Sequence, residues 1–372
     1  MKIARSELVS KKRGGVGVSG NDIAPWQTSG FMKEWAANTE VVRRIRSSMA
    51  VLLIVSETDI ASTIQGDALL ARGGWSERET VEQCRVWQHE QGGVWLWWFG
   101  DRFLMEDDLD TRFYHGTSVE VSEVIFLSRH FAASGRPSLT LHVIGVPGET
   151  PHGEQSGHGG IKGEVVLPNT RFASWYRLMC ESAHRHALVP EFELTIETTH
   201  HGPSLSVPTM FIEIGSSETH WDRRDAAEAW ADVIQTGLGL DGSQEIGRWG
   251  LLTSEERRKS KVMLGIGGGH YAPRHTDVLR KTDCWAGHQL ANYALEMEKP
   301  VEDDWDPDTG ILPSGAWNHA IRVCVESTRC AFPEGIVTAH LDRKSFKGWQ
   351  RRVIKRLLKE LNVPVGRTRD FE

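Results

Sequence analysis

No run in this 372-residue chain approaches the roughly 20 consecutive apolar residues that a membrane-spanning helix needs, and its longest hydrophobic runs, such as Val51–Val55, are strand-sized. Overall positive charge is missing too. The formal net charge is -7, which excludes a protein that coats nucleic acid through bulk basicity but leaves room for a local basic face. Cysteine is sparse and scattered: the five thiols (Cys84, Cys180, Cys284, Cys324, Cys330) are odd in number and nowhere form C-x-x-C. Neither a disulfide framework nor a cysteine-rich zinc module is indicated, and a reducing compartment, the cytoplasm, is expected. There is no internal repeat, no Walker lysine behind a glycine run and no G-x-S-x-G elbow, so an NTP-binding P-loop and an assignable serine-hydrolase triad are excluded. Residues 1–48 carry Lys2, Arg5, Lys11, Lys12, Arg13, Arg43, Arg44 and Arg46 and few acidic residues before Glu34, but lack the apolar segment of a secretory signal. They read as an extension outside the folded domain, either disordered or an organellar transit segment.

What remains is a strand and helix alternation. Val51–Val55 is a buried-strand pattern followed by helical spacing through Ile60, Ile64 and Leu69. Further strands are expected at Val94–Phe99, Val124–Leu127, Leu139–Ile144, Met210–Ile214 and Val262–Ile266. Phe192, Leu194 and Ile196 alternate with Glu193, Thr195 and Glu197, the period-two signature of a half-buried strand. Helices are expected at Phe172–Ala183, after a cap at Thr219-x-x-Asp222 (apolar face Ala226, Ala229, Trp230, Val233, Ile234), at Ala286–Leu295 and at Ser345–Leu361. Glu106–Asp110 reads as an acidic turn, Pro147–Gly160 as a loop and Glu298–Gly315 as a surface excursion. This alternation is that of a layered α/β sheet rather than a bundle or a sandwich.

Seven of the sixteen histidines fall in or beside five polar or Gly-rich segments at strand ends, where ligands of α/β proteins sit. The first, 125–142, offers Ser128, Arg129, His130, Ser134, Arg136 and Ser138, with planar guanidinium donors suited to phosphate. In the second, 197–203, His200 and His201 point to opposite sides of an extended chain, so they do not easily bind one metal from a regular strand. The third places Glu213 in an apolar strand, a costly carboxylate to leave unpartnered, ahead of Gly215-Ser216-Ser217 at a helix start that could cradle an anion. The fourth, 264–275, joins Gly267, Gly268 and Gly269 to His270, Arg274 and His275: room for close approach, two imidazoles and a phosphate partner. The fifth is Gly287-His288. Each also reads as a satisfied turn or a structural histidine. The last helix carries Lys347, Arg351, Arg352, Lys355, Arg356 and Lys359 on its polar side, which is either a solvated face or a surface for a nucleic-acid backbone.

Three ordered strings, FLSRH…SGRPSLTLH at 126–142, E.THHGP….P..F.EIGSSE..W at 197–221 and GIGGGHYAPRHT at 265–276, resemble the D-aminoacyl-tRNA deacylases of archaea and plants. Gly287-His288 through Leu295 and Leu341-Asp-Arg-Lys344 extend the resemblance over most of 50–298 and about 336–361. It implies a three-layer α/β/α mixed sheet of the phosphorylase or peptidyl-tRNA hydrolase type spanning 49–372, with departures near 72–112, 148–160 and 298–330. It also implies zinc and hydrolysis, by activated water, of the ester between a D-amino acid and the terminal ribose of tRNA. On this reading His270, His275, His200 and Glu213 are catalytic, and His130, His201 and His288 are metal ligands. Arg129, Ser134, Arg136, Gly215, Ser216, Ser217, the 267–269 glycines, Arg274, Lys347, Arg351 and Lys355 hold the substrate. A monomer is expected. The rival readings are a metallopeptidase or amidohydrolase on the same fold and a non-catalytic RNA-binding protein.

Overall fold

All seven residues of Ala50–Ser56 are buried, as a run without a polar face requires. In the computed structural model, which describes residues 49–149 and 159–372, this strand (β1) is the fourth of an eight-stranded sheet. The calls that rest on 1–48 and on 150–158 lie outside the described residues. After β1 come α1 (Ile60–Ala71), a meander of β2 (Trp75–Val81), β3 (Cys84–His89) and β4 (Val94–Phe99), α2 (Leu109–Thr117), β5 (Val121–Arg129) and β6 (Ser138–Val143). The short pair β7 (Gly145–Val146) and β8 (Glu164–Val165) follows, then α3 (Phe172–Arg185), β9 (Glu193–Ile196), β10 (Thr209–Gly215), α4 (Glu218–Trp221) and α5 (Arg224–Gly237). The sheet order is β2-β3-β4-β1-β5-β10-β6-β9; β1, β4, β5 and β10 run parallel, while β6 is antiparallel to β10. Both faces are covered. Val51, Leu53 and Val55 pack with the apolar sides of α1, α3 and α5, and Leu52, Ile54 and Phe126 pack with Phe113 of α2 and Phe103.

The expectation of one sheet is corrected. After α6 (Ser254–Lys259), strands β11 (Lys261–Ile266), β12 (Trp285–Leu290), β13 (Ile336–Leu341) and β14 (Val365–Gly366) form a second, all-parallel sheet in the order β12-β11-β13-β14. Its crossovers are α7 (Pro273–Lys281), α8 (Trp317–Ala331) and α9 (Gly348–Glu360). Val262, Leu264 and Ile266 face α8 and α9, whereas Met263 and Ala286 join the core that contains α3.

Three local expectations change with it. Ala286–Leu295 is not a helix: Trp285–Leu290 is β12, buried on both faces apart from half-buried Trp285, so its hydrophobicity carried no period. A Cβ at Gly287 would lie 2.4 Å from the Thr328 side chain of α8, which is why glycine stands there. The long helix begins at Arg224, not at the Thr219 cap, because Ser217 Oγ meets Thr219 and His220 side chains and closes only the four-residue α4. Finally, α8 buries Trp317, Ile321 and Cys324 in the second core, within a stretch where the preceding acidic loop dominates the composition. No helix among the described residues is long and apolar enough to cross a membrane.

Candidate active site

Neighbouring strand ends of the first sheet supply the first groups. β5 and β10 are parallel with Glu213 in register with Ser128, so the Glu213 carboxylate rises beside His130, one residue past the end of β5. β6 runs back along β10 with Thr140 opposite Glu213 and His142 opposite Phe211. Beyond β9 the chain continues through Glu197, His200 and His201. The second sheet closes the assembly. The loop after β11 carries His270 and Tyr271 onto the 197–199 segment, where Thr198 N–H donates to His270 O (3.0 Å), Thr198 Oγ1 to Gly269 O (3.0 Å) and Thr199 N–H to Gln289 O (2.6 Å).

Glu197, fully buried, is the centre of the group. Its Oε1 lies 3.0 Å from His130 Nδ1, and its Oε2 lies 2.9 Å from His270 Nε2 and 3.5 Å from His200 Nε2. His130 Nδ1 is also 3.3 Å from Glu213 Oε2, and His130 Nε2 is 2.7 Å from the Tyr271 hydroxyl. Thr140 Oγ1 donates to Glu213 at 3.4 Å, and His142 Nε2 stands 3.8 Å from its other oxygen. Burial by itself drives the His130 imidazole toward neutrality, yet the two carboxylates overcome it and push its pKa up to about 12. Burial likewise opposes ionisation of Glu197, but His130 and His270 hold its carboxyl well below the usual range. Glu213 is held low by His130 and His142 against both burial and the charge of Glu197. Buried charges at this density persist only when paired.

The donor set suits a metal of the borderline class. His142, His200 and His201 bring three imidazole nitrogens within 4.8 Å of one another, and His130, Glu197 and His270 make a second such group. His200 Nδ1–H donates to Thr198 O at 2.6 Å, so in the neutral ring Nε2 is the lone-pair nitrogen. His200 Nε2 points toward Glu197 Oε2, 3.5 Å away. Nitrogen and oxygen ligands of this kind are those zinc takes.

Above the group opens a cavity of about 610 Å³ whose floor is formed by Glu213, His130, His200, His201 and His270. Phe103, Leu104, Tyr271 and Tyr293 form its walls, and Arg129 and Phe131 stand at its mouth. The Arg129 guanidinium lies over Trp221, 4.6 Å from the ring centroid, and its backbone N–H is accepted by Asp59 (3.0 Å), which also caps α1. Burial raises the Asp59 pKa despite the nearby Arg129 charge.

Five expected residues therefore converge: His130, His200, His201, Glu213 and His270. Two, His275 and His288, stand elsewhere. His275, expected to be catalytic, is buried in α7; its Nε2–H donates to Gly267 O (3.0 Å) and its Nδ1 meets His340 Nδ1 (2.7 Å), so it braces the glycine loop from behind. His288, expected as a ligand, lies in β12 between Thr199 Oγ1 and Ser327 Oγ, each 3.1 Å away. Burial pushes both pKa values down to about 3. Gly215-Ser216-Ser217, expected as an anion cradle, is packed against its neighbours. A Cβ at Gly215 would sit 2.7 Å from that of His130, and the buried Ser216 Oγ donates to Arg136 O (2.6 Å), so the segment packs and ties the 130–137 loop. Ser134 and Arg136 are exposed on that loop. Gly267 and Gly268 take φ values of +101° and +103°; a side chain at Gly267 would meet Phe346 and Ser345, and Gly268 N–H donates to Ser345 Oγ (2.8 Å). The loop is thus docked on the 342–345 turn, to which Arg274 Nε also binds through Asp342 (3.0 Å), while Gly269 has open space around it. Lys347, Arg351 and Lys355 lie on or beside α9, and the latter two line a separate groove with Trp305 and Trp349. Glu197, His142, Tyr271 and Tyr293 were not expected in the site. Their signal was local: Glu197 and His142 stand within the histidine-bearing strings, and Tyr271 follows His270.

A family model of D-aminoacyl-tRNA deacylases matches residues 117–366, two thirds of the chain. The chain belongs to the D-aminoacyl-tRNA deacylase family. It is 45% identical to a D-aminoacyl-tRNA deacylase of Arabidopsis thaliana over 87% of this chain and 100% of that one. A D-aminoacyl-tRNA deacylase of Pyrococcus furiosus is 29% identical over 84% of this chain and 97% of its own. Among solved structures, a conserved protein of unknown function superposes with a TM-score of 0.64 and 25% identity, over 87% of this deacylase-family chain and 97% of its own.

Proposed function

We propose that this cavity hydrolyses the ester joining a D-amino acid to the terminal ribose of tRNA, releasing the free amino acid and reusable tRNA. The observation that carries the reading is the His130–Glu197–His270 arrangement, in which buried His130 and half-buried His270 line an open cavity and fully buried Glu197 joins them, in a chain of the deacylase family. Such an ester is intrinsically labile, so the protein has mainly to orient water and substrate and to stabilise the oxyanion. With Glu197 and Glu213 keeping His130 protonated, Nδ1–H is directed at the carboxylates and Nε2–H donates to the Tyr271 oxygen. The Tyr271 O–H is then turned outward, toward the cavity it lines, as a donor for an oxyanion. His270, on the other oxygen of Glu197, is placed to accept a proton from attacking water. Zinc fits the imidazoles of His142, His200 and His201, and when bound it supplies a water acidic enough to react at neutral pH. Helices on both faces of the large mixed sheet support the phosphorylase or peptidyl-tRNA hydrolase type, and five free thiols support a cytoplasmic enzyme.

The test is amino-acid release from matched D-tyrosyl- and L-tyrosyl-tRNA, with and without a chelator, beside a His270→Ala variant. D-selective release that falls on chelation and in the variant supports the reading; no release from either substrate by folded, zinc-supplied protein removes it.

A further inference from the structure

Phe131 is 70% exposed, yet it follows directly on His130, which two carboxylates hold at the floor, and lines the mouth of the same cavity. A large apolar ring left in water beside a reactive centre asks for an occupant. Its backbone is fixed. His130 N–H donates to Ile214 O (2.9 Å), Ala132 N–H to Ser216 O (3.1 Å) and Gly135 N–H to Ala132 O (3.0 Å), while Ser216 Oγ holds Arg136 O (2.6 Å). The ring is therefore carried on a rigid loop and loses little freedom when something stacks on it. Arg129, which lines the same cavity, is held over Trp221, and exposed Arg136 lies further along the same loop.

We infer that Phe131 is the platform on which the terminal adenine base of the tRNA stacks, with Arg129 and Arg136 facing the phosphates behind it. The inference rests on the reading of this cavity as a D-aminoacyl-tRNA ester site, and the cavity divides the substrate accordingly. The scissile carbonyl belongs over the His130 and Glu213 floor, beside the Tyr271 hydroxyl. The enclosed apolar wall, with Phe103 only 3% exposed, suits the amino-acid side chain. The alcohol half of the ester then leads out through the mouth, where an open aromatic face and the Arg129 guanidinium held over Trp221 match a base and its phosphodiester.

The test uses Phe131→Ala and Phe131→Trp in the full chain, with adenosine 5′-monophosphate, D-tyrosyl-tRNA and D-alanyl-tRNA as probes. Loss of one base stack predicts a rise of about 5- to 150-fold in KM for both aminoacyl-tRNAs in the alanine variant. The dissociation constant for the free nucleotide should rise by a similar factor, and the tryptophan variant should restore both. A KM rise confined to D-tyrosyl-tRNA would place the amino-acid side chain on Phe131 and overturn the inference, as would an alanine variant whose KM and nucleotide affinity are unmoved. Wild-type protein that binds the nucleotide in a Phe131-dependent way but releases no amino acid would support the subsite while removing the esterase reading.

Discussion

Glu197 Oε2 lies 2.9 Å from His270 Nε2, although one residue directly follows a strand of the first sheet and the other sits in a loop of the second. Removing the carboxylate while keeping its shape separates its two roles. Glu197→Gln should lower kcat for D-aminoacyl-tRNA by a factor on the order of 10²–10⁴, the range of a lost acid–base group. It should also lower stability, since His130 is then a buried cation with one carboxylate fewer. Steady-state kinetics and thermal unfolding read the two effects; a variant with full kcat would remove Glu197 from the chemistry.

Tyr271→Phe deletes the hydroxyl that accepts from His130 and faces the cavity. The expected outcome is a fall in kcat on the order of 10²-fold with a smaller change in KM, the pattern of a lost oxyanion donor. A rise in KM with kcat unchanged would assign the hydroxyl to substrate binding instead.

Metal removal gives a third outcome. Chelator-treated protein should lose release activity and regain it with zinc, and His200→Ala should bind zinc at least about tenfold more weakly, ligand loss costing no less than loss of an outer-shell partner. Direct metal titration measures this independently of turnover.

The pH dependence of stability follows from His275 and His288. Both are buried neutral, with pKa values near 3 against an unfolded value of 6.5. Between those limits the unfolded chain binds protons that the folded chain refuses, so their contribution is fully present above about pH 6.5 and is lost as pH falls toward 3. Urea midpoints should therefore decline steadily from pH 6.5 to 4. The slope should be shallower in His275→Gln, which starts less stable because Gly267 O and His340 lose their partner.

Arg171 tests the core away from the site. It is fully buried, paired with Glu123 (2.9 Å) and Glu245 (2.6 Å), and donates to the carbonyls of Gly237 and Ile246. Arg171→Met leaves Glu123 buried beside Asn169 alone, and should cost about 3–5 kcal/mol in denaturant unfolding.

Much of this was legible in the sequence because the signals were local. Val51–Val55 could only be a strand, and Glu213 in an apolar run had to have partners, which proved to be His130 and Thr140. The misreadings have a common cause, which is contact with elements distant in sequence. Glu197 stood at the polar phase of an alternating strand and looked solvent-facing, but the loop of the second sheet buries it. His275 looked like a partner for His270 because they are five residues apart, yet the intervening helix start turns it toward His340. Gly287-His288 showed helical spacing while its true neighbour was Thr328, forty residues on.

The docking of the 267–269 loop on the 342–345 turn has a bearing on how the enzyme is born. A nascent chain that has completed the first sheet already owns His130, His142, Glu197 and Glu213, but His270 and Tyr271 take their places only on a loop braced by residues near its C-terminal end. The place of His270 and Tyr271 against Glu197 therefore depends on the 342–345 turn, and a chain that has folded only its first sheet lacks the brace that completes the cluster.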